Sequence, residues 1–154
     1  MGFGEIFKMN TEADVLEFLA NDDQKSPYSA FYECDQRTAY LYLVMDEEVV
    51  GDVWLYNLAE TPDEPQWDDP EQLPFLNARE YVVDVRFPPV VSEDEIVFHW
   101  HHRGENFDHL DLHVRGELLA RVSDGSKPGW CRLAKIDGPL AKRLSGSASE
   151  AKPL

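Results

Sequence analysis

Apolar and aromatic residues recur at every second position along most of the chain, in short runs separated by turn residues. Alternation with a period of two is the pattern of strands that bury one face. The runs that show it are 28–34, 38–45, 49–57, 80–87, 95–101, 107–115 and 117–123. Because short turns join most of them, the pattern predicts an antiparallel meander.

The two ends of the chain show a different spacing and predict one short helix each. In 10–20, Thr11 can cap a helix whose apolar positions follow at near-helical intervals. In 137–144, Pro139 stands in the first turn and two cations stand in the last, as helix geometry and the helix dipole favour. The predicted fold class is therefore α+β, with a mostly antiparallel sheet of about six or seven strands and a short helix near each end.

A chain of 154 residues has the size of one ordinary domain. We assign residues 1–144 to a single globular domain and 145–154, which have nothing to bury, to a flexible C-terminal tail. The run 40–45 is apolar on both faces of its strand, which predicts a central strand that is covered on both sides. Four prolines exclude helix and ladder positions from 58–78 and predict a long loop there.

Composition narrows the classes of function. Thirty acidic against fourteen basic residues give a net charge of −16, which disfavours binding to nucleic acid and to anionic membranes. Two distant cysteines indicate neither a disulfide framework nor a zinc-finger site. Because the chain shows no secretory leader and no apolar run approaching ~18 residues, a soluble cytoplasmic protein is expected.

The acidity is concentrated in the first half of the sequence. Residues 1–71 contain eighteen acids and three bases, whereas 72–154 contain twelve acids and eleven bases. Within 38–78 there are ten acids and no Lys or Arg. Such a run serves either as a solvated surface or as a negative patch that steers a basic partner towards the protein.

An acidic, proline-rich stretch of the predicted loop places Trp67 between carboxylates. Interfaces draw much of their affinity from a few buried aromatic anchors, while flanking charges select the partner. The sequence therefore predicts a partner-binding surface with Trp67 as its anchor, and the alternative is that Trp67 folds back onto the sheet. The flanking acids are Asp63, Glu64, Asp68, Asp69 and Glu71. Alternation in the run 49–57 also places Trp54 and Tyr56 on one face with Asp52, where they could extend the contact.

All five histidines fall between residues 99 and 113. If Trp100 pairs with Leu110 in a hairpin, then His101 lies opposite His109 and His99 lies opposite Asp111, with His113 on the same face. Side chains directly across an antiparallel pair are ~5 Å apart at Cβ, close enough to share a divalent transition metal. The alternatives are a solvated face of ordinary cross-strand pairs and a cluster that responds to pH.

The segment from His99 to Glu105 also resembles the first metal motif of the cupin family. His99, His101 and Glu105 reproduce its His-x-His-x-x-x-Glu spacing on a strand that leads into a turn. The resemblance implies a β fold with a metal-dependent activity or a sensing role. It covers seven residues, and no histidine follows His113 to supply the second motif of the family.

Motifs for phosphate binding, serine hydrolysis and zinc proteolysis are absent from the sequence, which favours a protein that is not an enzyme. The leading hypothesis is a small acidic binding protein without a cofactor. It would dock a basic protein partner, as small acidic bacterial proteins of the antitoxin, immunity or DNA-mimic type do when they inhibit theirs. One alternative is a metal-binding β-fold enzyme or sensor that uses the histidine hairpin. Another is a self-associating module, such as a homodimer, in which the acidic half of one copy meets the second half of another.

Overall fold

The computed structural model describes residues 6–10, 15–22 and 26–144 of the chain. Strands make up 47% of the structure and helical residues 7%, and none of the described helices reaches seven residues. The fold is therefore almost entirely β, and the α+β prediction with a helix near each end is wrong. The described part of the chain also lacks any helix with the length and apolar character that a membrane crossing requires.

The strands form two sheets in chain order. The first sheet is a meander of β1 (Ile6–Asn10), β2 (Leu16–Asn21), β3 (Tyr28–Cys34), β4 (Thr38–Met45) and β5 (Glu48–Asn57). The second sheet contains β6 (Ile96–Arg103), β7 (Asn106–Val114), β8 (Glu117–Val122), β9 (Trp130–Cys131) and β10 (Lys142–Arg143). Its strands are antiparallel apart from the short β9–β10 pair. Three single-turn 3-10 helices lie between the sheets in sequence, at Pro70–Gln72, Arg79–Tyr81 and Glu93–Glu95.

One contiguous core contains the inward-facing residues of both sheets. Phe18, Tyr32 and Leu41 represent the first sheet in it, and Phe98 and Leu112 represent the second; all five are at most 1% exposed. The other face of β4 carries Tyr40 and Tyr42, which the loop after β5 partly covers, and the sequence correctly predicted a strand covered on both sides. The second sheet has its histidine-bearing face on the side away from this core.

The N-terminal helix prediction fails because a neighbouring strand was available. Residues 11–14 lie outside the described residues, and Leu16–Asn21 form β2, with Phe18 and Ala20 in the core. Isolated helices of about ten residues are marginal in water. Pairing with β3, residue by residue from Leu16–Cys34 to Asn21–Ser29, satisfies the backbone instead.

The second predicted helix and one predicted strand are also wrong. Backbone N–H groups of Lys142 and Leu144 donate to the carbonyls of Gly129 and Cys131, so this segment contains the short strand β10 instead of a helix. Residues 80–87 make a single isolated bridge, between Val82 and Ala134, and no ladder. The predicted tail, 145–154, lies outside the described residues.

Candidate functional site

The β6–β7 hairpin has the predicted register. Trp100 pairs with Leu110, His101 pairs with His109, and His99 pairs with Asp111. Trp100 and Leu110 lie in the core, so the pleat turns His101, His109 and Asp111 to the opposite face. The position of each histidine therefore follows from which neighbours the core buries.

Three side chains of this face bring their donor atoms together. One ligand atom each from His101, His109 and Asp111 lies within 4.8 Å of the other two. Asp111 Oδ2 is 3.3 Å from His101 Nε2 and 3.8 Å from His109 Nε2. The two imidazole rings stack with their centroids 4.3 Å apart. We call His101, His109 and Asp111 the hairpin triad.

A one-residue slip in the pairing supplies the triad with a further carboxylate. After His101 the register shifts, so His102 pairs with Phe107 and Asp108 is left as an extra residue in β7. Asp108 Oδ2 lies 2.6 Å from His109 Nδ1. A proton on Nδ1 then leaves Nε2 of His109 with a free lone pair that faces Asp111.

Arg121 fixes the carboxylate of the triad from the neighbouring strand. Its Nε donates to Asp111 Oδ1 at 2.7 Å, and its Nη2 donates to Asp111 Oδ2 at 3.0 Å. Asp111 is buried, so the guanidinium compensates a charge that would otherwise be costly to bury. Oδ2, the oxygen nearer both imidazoles, retains capacity for a further ligand.

Partial burial lowers the pKa of two of these imidazoles, which favours their neutral form. Burial lowers the pKa of His101 more than the attraction of Asp111 raises it. Burial, followed by the charge of His99, lowers the pKa of His113. Neutral imidazole is the form that binds a metal ion.

The other histidines separate into two groups. His99 and His113 lie beside the triad with centroids 4.5 Å apart and ring planes tilted by 60°, and neither belongs to the close three-atom set. His113 Nδ1 is buried without a hydrogen-bond partner among the described residues. His102 points elsewhere, because alternation along β6 turns it to the inner face with Trp100, and there it contacts the buried Asp22 at 2.7 Å and joins the second sheet to the end of β2.

Two donor-atom distances of the triad suit a small divalent transition metal, but the imidazole rings lie 13° from parallel and must turn before both nitrogens can direct their lone pairs at one ion. Zinc bonds of ~2.0–2.2 Å in a tetrahedron place neighbouring ligand atoms about 3.4 Å apart. The 3.3 and 3.8 Å distances around Asp111 Oδ2 bracket that value. Three protein ligands would leave one position open, which is the composition of catalytic rather than structural zinc sites.

The predicted acidic surface lies elsewhere on the molecule. Asp63 pairs with Arg79, with 2.7 Å between Oδ1 and Nε. Asp69 accepts a hydrogen bond from the backbone N–H of Glu71 and caps the 3-10 helix there. The carboxylates at positions 64, 68, 69 and 71 are exposed.

The ten acids of 38–78 do not gather on one patch. Asp46, Glu47 and Glu48 lie at the start of β5, whereas the acidic loop follows the end of this strand. The ten residues of β5, about 30 Å of strand at ~3.3 Å per residue, lie in the chain between the turn acids and the start of the loop. The run therefore divides into at least two clusters.

Two of the three aromatic residues assigned to the partner surface are in the core. Trp54 is fully buried, and Tyr56 is 3% exposed. Tyr40 pairs with Trp54 and Ala39 pairs with Tyr56, so Leu55 is an extra residue that turns Tyr56 to the inner face. The expectation that Trp54 and Tyr56 share an accessible face is therefore incorrect.

Trp67 itself folds back onto the protein. Its ring meets Tyr81 edge-on, with centroids 5.0 Å apart. The indole N–H is buried and finds no hydrogen-bond partner among the described residues. Trp67 is half-buried, so a partner could reach only part of the ring.

Sequence analysis missed Asp108 and Arg121 as supporting residues of the triad. The position of Asp108 beside His109 depends on a β-bulge, and no local pattern in the sequence indicates that bulge. Arg121 lies opposite Asp111 on β8, and this pairing also depends on a register, because the ladder slips next to it at Leu112 and His113. Opposite charges on adjacent predicted strands were the available signal for Arg121.

Comparison of the chain with protein-family models, with curated proteins and with solved structures finds no match. Its function has to follow from the residues themselves.

Proposed function

We propose that this chain is a metal-binding β protein that holds one divalent transition metal at His101, His109 and Asp111. The observation that carries the proposal is the approach of Asp111 Oδ2 to the Nε2 atoms of both histidines, at 3.3 and 3.8 Å. Two imidazoles and a carboxylate favour zinc, iron, nickel or cobalt over calcium or magnesium, which prefer all-oxygen sites.

The surroundings of the triad support this proposal. Asp108 orients His109 in the way that carboxylates orient metal-bound histidines, and Arg121 holds Asp111 in place. A metal here would keep an open position for water or for a substrate group. It would lower the pKa of a bound water towards neutrality. The guanidinium of Arg121 would sit beside an anionic ligand of the metal.

Metal titration of the metal-free protein at pH 7.5 tests the proposal. We expect one equivalent of Zn²⁺ or Co²⁺ to bind, and the visible spectrum of Co²⁺ to show four-coordinate nitrogen and oxygen ligation. His101→Ala should weaken binding at least tenfold. His99→Ala, on the same strand and face but outside the triad, is the matched control and should bind as the natural protein does. Binding that is absent, or that is equally weakened by both variants, would remove the proposal.

A second proposal retains the acidic loop as a docking surface for a basic protein. The exposed carboxylates at 64, 68, 69 and 71 favour it, together with Asp63. In this proposal Trp67 contributes the accessible part of its ring, and Trp54 and Tyr56 contribute nothing. The protein would then act as an inhibitor or neutraliser of a cationic partner, without any need for the triad.

Matched charge variants separate this second proposal from a general effect of net charge. A loop variant with Asp68→Asn, Asp69→Asn and Glu71→Gln loses three charges. A turn variant with Asp46→Asn, Glu47→Gln and Glu48→Gln loses the same three at the other end of β5. Binding of a ten-residue arginine peptide should fall at least tenfold in the loop variant and much less in the turn variant. Equal losses would show that only the total charge matters.

A further inference from the structure

A cleft of about 280 Å³ opens on the outer face of the first sheet, away from the hairpin triad. Strands β4 and β5 provide its floor with Tyr40, Tyr42 and Asp52. Its walls come from three other segments: Leu73–Pro74–Phe75 of the loop after β5, Lys127 of the turn after β8, and Pro139–Leu140. Four separate parts of the chain therefore converge on one concave, largely apolar site, which is typical of ligand pockets.

The floor of the cleft is aromatic and held in place. Tyr40 and Tyr42 stack with centroids 6.0 Å apart and planes 12° from parallel. The hydroxyl of Tyr40 donates to the carbonyl of Phe75 at 2.7 Å, which ties the wall to the floor. Aromatic faces carry negative potential and attract cations as well as apolar groups.

Asp52 places a half-buried carboxylate beside these rings. Among the described residues its side chain accepts no hydrogen bond, although the residue is half-buried. Burial raises its pKa, and the charge of Lys127 acts in the opposite direction. Its backbone is fixed to the turn that carries Lys127, since Asp52 N–H donates to Ser126 O and Gly129 N–H donates to Asp52 O. Because Asp52 lines the cleft, a ligand that enters the cleft can reach its carboxylate oxygens.

Acidic residues outnumber basic ones around the cleft, although Arg37 donates to the carbonyl of Pro74 in its wall. After burial, the charges of Glu33, Asp52 and Asp35 raise the pKa of Tyr42. Glu33 lies directly across from Glu17, and this pair extends the negative charge along β2 and β3. Lys127 is the only basic residue that lines the cleft within the described chain.

We propose that this cleft binds an organic cation, with an ammonium or guanidinium group at Asp52 and an apolar chain over Tyr40 and Tyr42. Such a group satisfies the carboxylate with a charge-assisted hydrogen bond and contacts the electron-rich ring faces. The cation has two sources of the same chemistry: a free amine, or a lysine or arginine side chain presented by a protein. Lys127 competes with it for Asp52, so its ammonium must move aside when the cleft fills.

The role of Lys127 distinguishes a cation from other ligands. A zwitterion or an anion would use the ammonium of Lys127, so removing it would weaken binding. A sugar would stack on the tyrosines and donate to Asp52 without any charge, and its binding would be insensitive to salt. Of these classes of ligand, only a cation should bind more tightly when Lys127 is replaced by an uncharged residue.

Titration of the full chain with n-butylammonium, followed by the ring resonances of Tyr40 and Tyr42, tests the proposal. We expect saturable binding that is at least tenfold weaker in Asp52→Asn and at least twofold tighter in Lys127→Met. Asp84→Asn, an exposed acid away from the cleft, is the charge-matched control and should leave affinity unchanged. Hexanoate and n-pentanol, with chains of similar length, should bind at least tenfold more weakly than the amine.

The two sources of the cation are separated by a peptide. If acetyl-Gly-Lys-Gly-amide binds more tightly than n-butylammonium, the natural ligand is a protein side chain. If it binds more weakly, the ligand is a free amine. Preference for hexanoate or glucose, or a loss of affinity in Lys127→Met, would overturn the proposal. Asp52→Asn removes a charge that the fold disfavours, so its thermal melt should confirm an intact fold. His101→Ala should leave amine binding unchanged, which keeps this test independent of the metal proposal.

Discussion

The outer faces of the two sheets carry similar numbers of ring-bearing side chains but differ in how far these side chains are exposed to solvent. On the first sheet the loop after β5 covers the face, so Trp54 is fully buried and Tyr40 is 7% exposed. On the second sheet the side chain of His101 remains 45% exposed, with polar neighbours around it. The covered face keeps only a narrow cleft, whereas the open face presents a cluster of donor atoms.

The contrast shows how chemistry is divided between two surfaces of one fold. Rings with apolar faces exclude water and are stabilised by a covering loop. Imidazoles and carboxylates need partners, and they find them across strands on an open face. The two proposals therefore assign a different class of ligand to each surface: organic cations to the covered face and metal ions to the open face.

The largest effect should come from removing a ring from the covered face. Trp54→Ala deletes a fully buried side chain and the hydrogen bond from its indole N–H to Asn57 Oδ1. A loss of about 3–5 kcal/mol in the free energy of unfolding is expected from urea titration. His101→Ala on the open face should change it by no more than about 0.5 kcal/mol. Similar losses in both would contradict the division into a covered and an open face.

The next effect concerns the residue that orients the triad. The hydrogen bond to His109 is the main cause that lowers the pKa of Asp108. Asp108→Asn should weaken Zn²⁺ binding by ~10- to 100-fold, as loss of an outer carboxylate typically does. Glu105→Gln, in the adjacent turn, is the control for lost charge. Unchanged affinity in Asp108→Asn would mean that His109 needs no orienting partner.

A substitution between the sheets should have an intermediate effect on stability. A Cβ atom at Gly51 would lie 2.7 Å from Ser123 O and 2.8 Å from Val122 Cγ2, where the sheets approach closely. Gly51→Ala should therefore cost about 1–3 kcal/mol through overpacking. The thermal midpoint measures it. A midpoint equal to that of the natural protein would show that the sheets can separate locally.

The smallest effect is a pH dependence on the covered face. Burial raises the pKa of Asp52 in the folded protein, so above its unfolded value of ~3.9 the folded state retains the proton longer and stability falls as pH rises. Asp52→Asn removes this loss of stability, because an amide side chain does not ionise. Because solvent reaches half of the side chain, the variant should be more stable at pH 7 by only a few tenths of a kcal/mol. Denaturant titrations at pH 4 and pH 7 should show the gain at pH 7 alone.

The sequence predicted the hairpin register because the core residues around the histidines are unambiguous. Trp100, Leu110 and their apolar neighbours can face only inward, so the opposite set of side chains follows by alternation. The same reasoning found a covered strand at 40–45, where both faces are apolar. Where the residue types of a strand show which of its faces are buried, the sequence predicts the direction of each side chain.

The sequence could not predict features that depend on a partner segment far away in the chain. The residues of β2 fit helical and strand spacing equally well, and the backbone of β3 decides between them. The bulges at Leu55 and Asp108 invert the alternation without a local signal, which misplaced Tyr56 and hid the carboxylate beside His109. The cleft combines residues from four segments, so no single stretch of sequence contains its pattern.

Asp108, the extra residue in β7, reverses the inward and outward alternation of the residues that precede it in the strand. Regular alternation from His109 would place Phe107 on the outer face, but the extra Asp108 turns Phe107 to the inner face, where its ring meets Trp100 and Tyr28. Deleting Asp108 would remove the bulge, so the residues of β7 that precede it would exchange their inward and outward faces. Phe107 would turn towards water and lose its contacts with Trp100 and Tyr28, and His109 would lose the carboxylate beside its Nδ1. The fold and the triad would be damaged together by the removal of one partly exposed residue.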